Sequence, residues 1–149
     1  MRFDLILNQF TLDAYLKRHL SLYQENYLRS FVHVRDVARA IVCVLAAPLE
    51  LVRNQVFNVG CEALNTSKKE LVEVIKAQLP DLQVEYRDVS FSGDMRSIHV
   101  SFDKIRRTLQ FETEIDLKQG IRELLSLLKQ GIISDPFSAR FRNHPAILA

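Results

Sequence analysis

The sequence predicts an α/β fold of a few short strands and four or five helices, incomplete as a doubly wound sheet. Three observations carry that expectation. Ser67 with Glu70 three residues later is a capping box, and it opens a helix whose apolar stripe is Leu71, Val72, Val74, Ile75 and Leu79, before Pro80. QVFNV, residues 55–59, is a short unbroken strand pattern ended by Gly60, and such runs are commonest where a strand is covered on both faces. Between Val37 and Ala47 the only polar residue is Arg39, so the helix predicted from about Arg35 cannot be a surface element with one buried stripe. It needs cover around most of its circumference.

The remaining elements follow in order. Arg2 to Leu7 alternates loosely and ends at Asn8, a good cap for a helix from about Gln9 to Leu20 with Phe10, Leu12, Ala14, Leu16 and Leu20 as its apolar members. Residues 22–34 read as extended, with a turn near Gln24 to Asn26 and strand formers from Ser30 to Val34. Asp36 falls in the first turn of the next helix, where a carboxylate suits the exposed N–H groups and the positive dipole end, and Pro48 marks its stop. Leu82 to Val89 alternates as a strand, Ser90 to Asp94 is a polar loop, and Arg96 to Phe102 alternates again. A short helix spans about Asp103 to Leu109. A longer one runs from about Asp116 to Gln130 with Leu117, Ile121, Leu124, Leu125 and Leu128 on one face and Gly131 as its C-terminal cap. Residues 1–133 form one unit, and residues 134–149, aperiodic and holding two prolines, read as an extended tail.

Composition bounds the function. At 149 residues the chain is one domain's worth, enough to bury roughly two-thirds of its unfolded surface if it folds alone. Twenty Lys and Arg against 18 Asp and Glu give +2, too small a bias for a nucleic-acid or membrane-surface partner. Lys104, Arg106 and Arg107 read as a solvated helix face, because Ile105 and Leu109 interrupt them at helical spacing. Cys43 and Cys61 are too few for a secreted disulfide framework, and Cys43 sits among apolar residues as a small hydrophobe. No apolar run reaches the ~18 residues of a membrane span, and the first is broken by Asp4, so a cytoplasmic location is expected. The four histidines, 19, 33, 99 and 144, are too scattered for a metal site, and His33 reads as a core or edge histidine.

The succession RFDLILNQF, LRSFVHVRDVARAI, QVFNVG, the capping-box helix, DMRSIHVSFDKIRRTLQF and DLKQGIRELL resembles the C-terminal half of the extended short-chain dehydrogenase/reductases, of the NAD-dependent epimerase/dehydratase type acting on nucleotide sugars. The resemblance implies a partial Rossmann-like, NAD(P)-binding fold of which only the C-terminal, substrate-binding part is present. It implies that Asn8 lies beside the nucleotide diphosphate, that Arg29 and Arg96 contact that diphosphate, and that Asn58 sits near the substrate site. Guanidinium suits the task, since a diphosphate is best met by planar, permanently charged, bidentate donors. Each residue also has a plainer reading: Asn8 as a helix cap, Arg29 paired with Glu25, Arg96 with Asp94 or Asp103, and Asn58 as an amide holding a turn.

Two departures limit the resemblance. The glycines stand at 60, 93, 120 and 131, and no two are close enough for the fingerprint that lets a pyrophosphate approach bare backbone at a helix start. The catalytic pair of the family is a Tyr with a Lys four residues on, whereas Tyr15, Tyr23, Tyr27 and Tyr86 are followed at that spacing by His19, Tyr27, Phe31 and Ser90. The expectation is therefore a truncated or split enzyme that contributes the nucleotide-sugar-binding half, is not competent alone, and associates with itself or with a partner chain carrying the N-terminal Rossmann half. NAD or NADP belongs to the full-length family and is not expected to bind this chain tightly. Two other readings stay open: a stand-alone module binding a nucleotide sugar or another phosphorylated ligand, and an association remnant without a ligand.

Overall fold

The structure, a computed structural model, describes residues 1–87 and 96–143. Six α-helices and four short strands follow one another as α1 (Ile6–Lys17), β1 (His19–Tyr23), β2 (Leu28–Ser30), α2 (Val34–Ala46), α3 (Leu49–Val52), β3 (Asn65–Ser67), α4 (Lys68–Lys76), β4 (Gln83–Arg87), α5 (Asp103–Leu109) and α6 (Leu117–Lys129). The class is α/β, as expected, with one helix more than the four or five foreseen. The addition is α3, a single turn that Pro48 starts just after ending α2.

The strands form two separate pairs. β1 and β4 run parallel, with Leu20 opposite Val84 and Leu22 opposite Tyr86. β2 and β3 run antiparallel, with Leu28 opposite Ser67 and Arg29 opposite Thr66. The main core lies between the first pair and the layer of α1, α4 and α6, where Ala14, Leu22, Leu71, Val72, Ile75 and Ile121 are buried. Helix α4 carries the capping box: the Ser67 hydroxyl accepts from the Glu70 N–H at 3.2 Å, and the Glu70 carboxylate accepts from the Ser67 N–H at 2.7 Å. Helix α6 ends in a Schellman arrangement. The Ile132 N–H reaches the Leu127 carbonyl, the Gly131 N–H reaches Leu128, and Gly131 takes φ 67°, where a side chain would be strained.

Four expectations are corrected. Helix α1 begins at Ile6 and Arg18 ends it in the left-handed region at φ 54°, so His19 and Leu20 belong to a strand. Leu20 fits both periods, and the partnership with β4 decides between them. Residues 55–59 form no ladder among the described residues: Phe57 and Val59 turn inward, while Val56 is 80% exposed. Residues 96–102 also lack a ladder and are held by side chains. Beyond residue 133 the chain folds back; a short 3₁₀ turn at Ala139–Phe141 places Phe141 edge-on to Phe3, and the Phe3 N–H donates to the Phe141 carbonyl at 2.8 Å. Residues 88–95 and 144–149, including the expected polar loop with Gly93 and Asp94 and also His144, lie outside the described residues.

Helix α2 is apolar on two opposite sides. Its inner side meets a cluster of Ala40, Phe102, Ile105 and Phe111, with Cys43 half-buried. Asp36, on that side, is fully buried, at 0% exposure. Its carboxylate accepts from the Glu114 N–H at 3.0 Å, the Ile115 N–H at 3.1 Å and the Arg39 guanidinium at 2.7 Å. The helix-start role expected of Asp36 thus becomes a tie to another segment. His33 takes the cap instead, its Nδ1 accepting from the Arg35 N–H at 3.2 Å. The outer side is bare: Val34, Ile41, Val42 and Leu45 are 74, 56, 65 and 80% exposed, and they share one helical stripe.

Burial alone would raise the Asp36 carboxyl, but the two backbone donors and Arg39 outweigh it and hold the group below its ordinary range. A depressed folded-state value contributes stability above the unfolded value of ~3.9 and loses it as the pH falls through the folded one. Asp36→Ala should therefore cost about 2–4 kcal/mol at pH 7 in urea denaturation. The gap between wild type and variant should narrow steadily below about pH 4.

Candidate anion site

Arg29 and Arg96 are brought together. Arg29 lies on β2, and its Nη1 donates to its neighbour, the Leu28 carbonyl, at 2.8 Å and to the Arg96 carbonyl. The segment bearing Arg96 is fastened along β2 and β3 without a ladder of its own. The Ile98 N–H donates to the Leu28 carbonyl at 3.1 Å, and the Leu28 N–H donates to the Ser97 hydroxyl at 3.1 Å. Asn65 behaves as a stand-in strand: its amide donates to the Val100 carbonyl at 2.9 Å and accepts from the Val100 N–H at 3.0 Å. Asn58 adds a bond from Nδ2 to the Ser101 carbonyl at 3.1 Å. Asn58 is thus engaged in holding the same segment that carries Arg96. Asn8 stands inside the first turn of α1, so it is not the helix cap, and donates to the Arg2 carbonyl at 2.8 Å.

Two of the acids named beside the arginines have other partners, and the third, Asp94, lies outside the described residues. Glu25 lies 3.8 Å from Lys69, and Asp103 takes Arg106 and Arg107 within its own helix at 2.6 and 3.2 Å. That last pairing also accounts for the basic run at 104–107 as a solvated face.

A third cation joins the two arginines. Lys68, the first residue of α4, donates from Nζ to the Tyr23 carbonyl at 3.1 Å. Burial, reinforced by the positive charge of Arg29, pushes its ammonium below the ordinary lysine range. Lys68 is missing from the residues that the sequence singles out. A signal was available, since a lysine directly after an N-cap faces the positive end of the helix dipole and gains nothing from its own helix. An anion beside Arg29 and Lys68 would meet a forked donor and a point charge and would offset the repulsion between them.

Other chemistry has less to stand on. Among the described residues no group of three or more His, Cys, Asp or Glu side chains could hold a metal ion, and no helix is long and apolar enough to cross a membrane. An open groove of about 500 Å³ runs between α2 and residues 109–112, beside Arg39, Val42 and Cys43 and away from the Arg29 cluster. The described glycines do not fit a dinucleotide. Gly120 is inside α6, Gly131 closes it, and a Cβ on Gly60 would fall 2.5 Å from the Phe102 ring, so that close approach is already taken by a side chain.

Residues 6–60 match the NAD dependent epimerase/dehydratase family. A Methanocaldococcus jannaschii protein described as a UDP-glucose 4-epimerase is 31% identical over 104 residues, which is 70% of this chain and 32% of that one. The chain belongs to the NAD-dependent epimerase/dehydratase family. Among solved structures, the ADP-L-glycero-D-manno-heptose-6-epimerase of Helicobacter pylori is 26% identical with a TM-score of 0.66, over 83% of this chain and 37% of that one. The UDP-glucose 4-epimerase of Thermotoga maritima, solved with UDP-glucose, shares the fold at a TM-score of 0.70 and 22% identity, over 85% of this chain and 40% of that one. The chain therefore spans about a third of the curated relative and about two-fifths of these structures. Family membership accounts for the Rossmann-like character of its parts, and the two small sheets are what the described residues contribute to it.

Because Asn65 alone supplies both bonds to Val100, Asn65→Ala should lower stability by about 1–3 kcal/mol. It should also speed amide exchange at Ile98 and Val100 while leaving α4 and α6 unchanged, a pattern readable by hydrogen exchange with mass spectrometry.

Proposed function

We propose that this chain is the nucleotide-sugar-binding part of an NAD-dependent epimerase/dehydratase, holding the ligand's diphosphate between Arg29 and Arg96. The carrying observation is the contact of the Arg29 guanidinium with the Arg96 backbone, which sets two arginines on one short edge with Lys68 beside them. Family membership supports the ligand class, and the relatives described as UDP-glucose 4-epimerases supply the example of a UDP-sugar. In this reading Arg29 and Arg96 bind and orient the diphosphate, Asn58 and Asn65 hold the segment that presents Arg96, and Asn8 borders the nucleotide. NAD or NADP supplies the redox chemistry in the family, and in this reading neither it nor a Tyr–Lys proton relay is furnished by these residues, so the chain binds without turning over. The cytoplasm is the compartment we assign, supported by two cysteines that are both free thiols.

Titration calorimetry with UDP-glucose, and with dTDP- and GDP-sugars beside it, tests this. Arg29→Ala or Arg96→Ala should weaken binding by about 10- to 100-fold, the worth of one charged hydrogen bond. Arg29→Lys should recover only part of it, because the fork is lost while the charge remains. No binding of any of these ligands, or wild-type affinity in both alanine variants, would remove the proposal.

A further inference from the structure

One face of α6 carries charge that nothing among the described residues answers. Lys17, Arg18, Arg35, Arg39, Lys69 and Arg87 each lie within 3.8 Å of a carboxylate. The exposed side chains of Lys118, Arg122 and Lys129 make no ion pair or hydrogen bond among the described residues. Spaced i, i+4 and i+11, these three share one helical stripe about 16 Å long. The net charge of the whole chain is +2, so this stripe alone exceeds it.

The arrangement works against the helix that bears it. Lys118 stands in the first turn, at the positive end of the helix dipole, and no acid in that turn offsets it. Lys118 and Arg122 are like charges at i, i+4, a spacing that destabilises a helix. Glu123, the one acid within α6, is engaged elsewhere, 3.2 Å from Arg35 and 3.4 Å from His33. A stripe that weakens its own helix and has no internal counter-charge calls for an anion from outside.

The groove beside the stripe narrows the chemistry of that anion. It is open, holds about 300 Å³ between the end of α4 and α6, and is lined by Gln78, Arg122, Leu125, Ser126, Lys129 and Gln130. The amide nitrogens of Gln78 and Gln130 are already used, donating to the Lys118 carbonyl at 3.1 Å and to the Ser126 hydroxyl at 3.0 Å. Their amide oxygens accept no hydrogen bond among the described residues. The groove thus offers cations to carboxylates and acceptors to N–H groups. An extended acidic peptide brings both. A polyphosphate brings acceptors only, and a helix keeps its N–H groups for itself. A nucleic acid would find no aromatic side chain in the groove on which to stack a base.

We propose that the groove between α4 and α6 docks an extended acidic segment of another protein. Its carboxylates, spread over about five residues at the rise of a strand, meet Lys118, Arg122 and Lys129. Its backbone N–H groups donate to Gln78 and Gln130. The groove lies past the C-terminal end of α4, whereas Lys68 is at the start of that helix, so this site is separate from the one proposed for a diphosphate and either can fail without the other.

The test is fluorescence anisotropy of a labelled, end-blocked octapeptide of alternating Glu and Ala, titrated with the full chain. Saturable one-to-one binding is expected, weakening at least about tenfold between about 0.05 and 0.5 M NaCl. The triple variant Lys118→Ser, Arg122→Ser, Lys129→Ser should bind at least about tenfold more weakly and keep its affinity for UDP-glucose. A matched triple, Arg53→Ser, Lys76→Ser, Arg107→Ser, removes three exposed cations that do not line the groove and should leave peptide binding unchanged. Methylating the peptide's backbone nitrogens should weaken it at least about threefold, through the lost N–H donors. Lys118→Glu should raise Tm by about 2–4 °C while weakening the peptide, because it reverses both unfavourable charge terms in the helix. No binding of the acidic peptide at the lower salt overturns the proposal, as does equal weakening by both triple variants. So does a Gln and Ala octapeptide, tripolyphosphate or an octamer of deoxythymidine that binds as tightly, and so does a Tm that Lys118→Glu leaves unchanged or lowers.

Discussion

The organisation of this molecule depends on a helix that is apolar on two opposite sides. Helix α2 needs a core on each, and the described chain supplies one. On the inner side, Asp36 fixes the helix by joining its first turn to residues 114 and 115, which lead directly into α6. A buried carboxylate is a costly tie unless every oxygen is met by a donor, and here two backbone N–H groups and a guanidinium meet it. The same tie fixes the orientation of the outer stripe, so the bare apolar face is held in a defined place rather than left to collapse.

Where strand ladders are missing, polar side chains replace them. Asn65 pairs with Val100 as a neighbouring strand would, Asn58 holds Ser101, and Arg29 reaches the carbonyl of Arg96. These bonds place two arginines and Lys68 on one edge without a continuous sheet beneath them. That edge is thereby built locally, from short strands and amide side chains. The larger apolar surface on α2 is a separate feature of the molecule.

The sequence was most readable where one residue pattern has one structural meaning. The capping box at Ser67 and Glu70, the helix at 103–109, and the stripe of Ile121, Leu124, Leu125 and Leu128 appear as written, because caps and helical periodicity act locally. Leu20 misled, since it satisfies a helix and a strand alike and only pairing with Val84 separates them. The segments 55–59 and 96–102 carry strand patterns without ladders, because alternation records which face is apolar and says nothing about whether a neighbour is within reach. Of the candidate site, Arg29 and Arg96 could be named from the resemblance, whereas their contact, the engagement of Asn58 with Ser101 and the approach of Lys68 depend on folding across some 30–70 residues of sequence. The double-sided character of α2 was visible in composition alone, since a run with one polar residue in eleven leaves no side for water.

The most direct measurement is solvent paramagnetic relaxation of methyl groups in the isolated chain. With a soluble gadolinium chelate, the methyls of Ile41, Val42 and Leu45 should relax fast, in the range of exposed side chains, while those of Leu71, Ile105 and Ile121 stay slow. Equal protection of both sets in a monomer would mean that this chain covers α2 on both sides, and the account of a helix with one bare apolar side would be wrong.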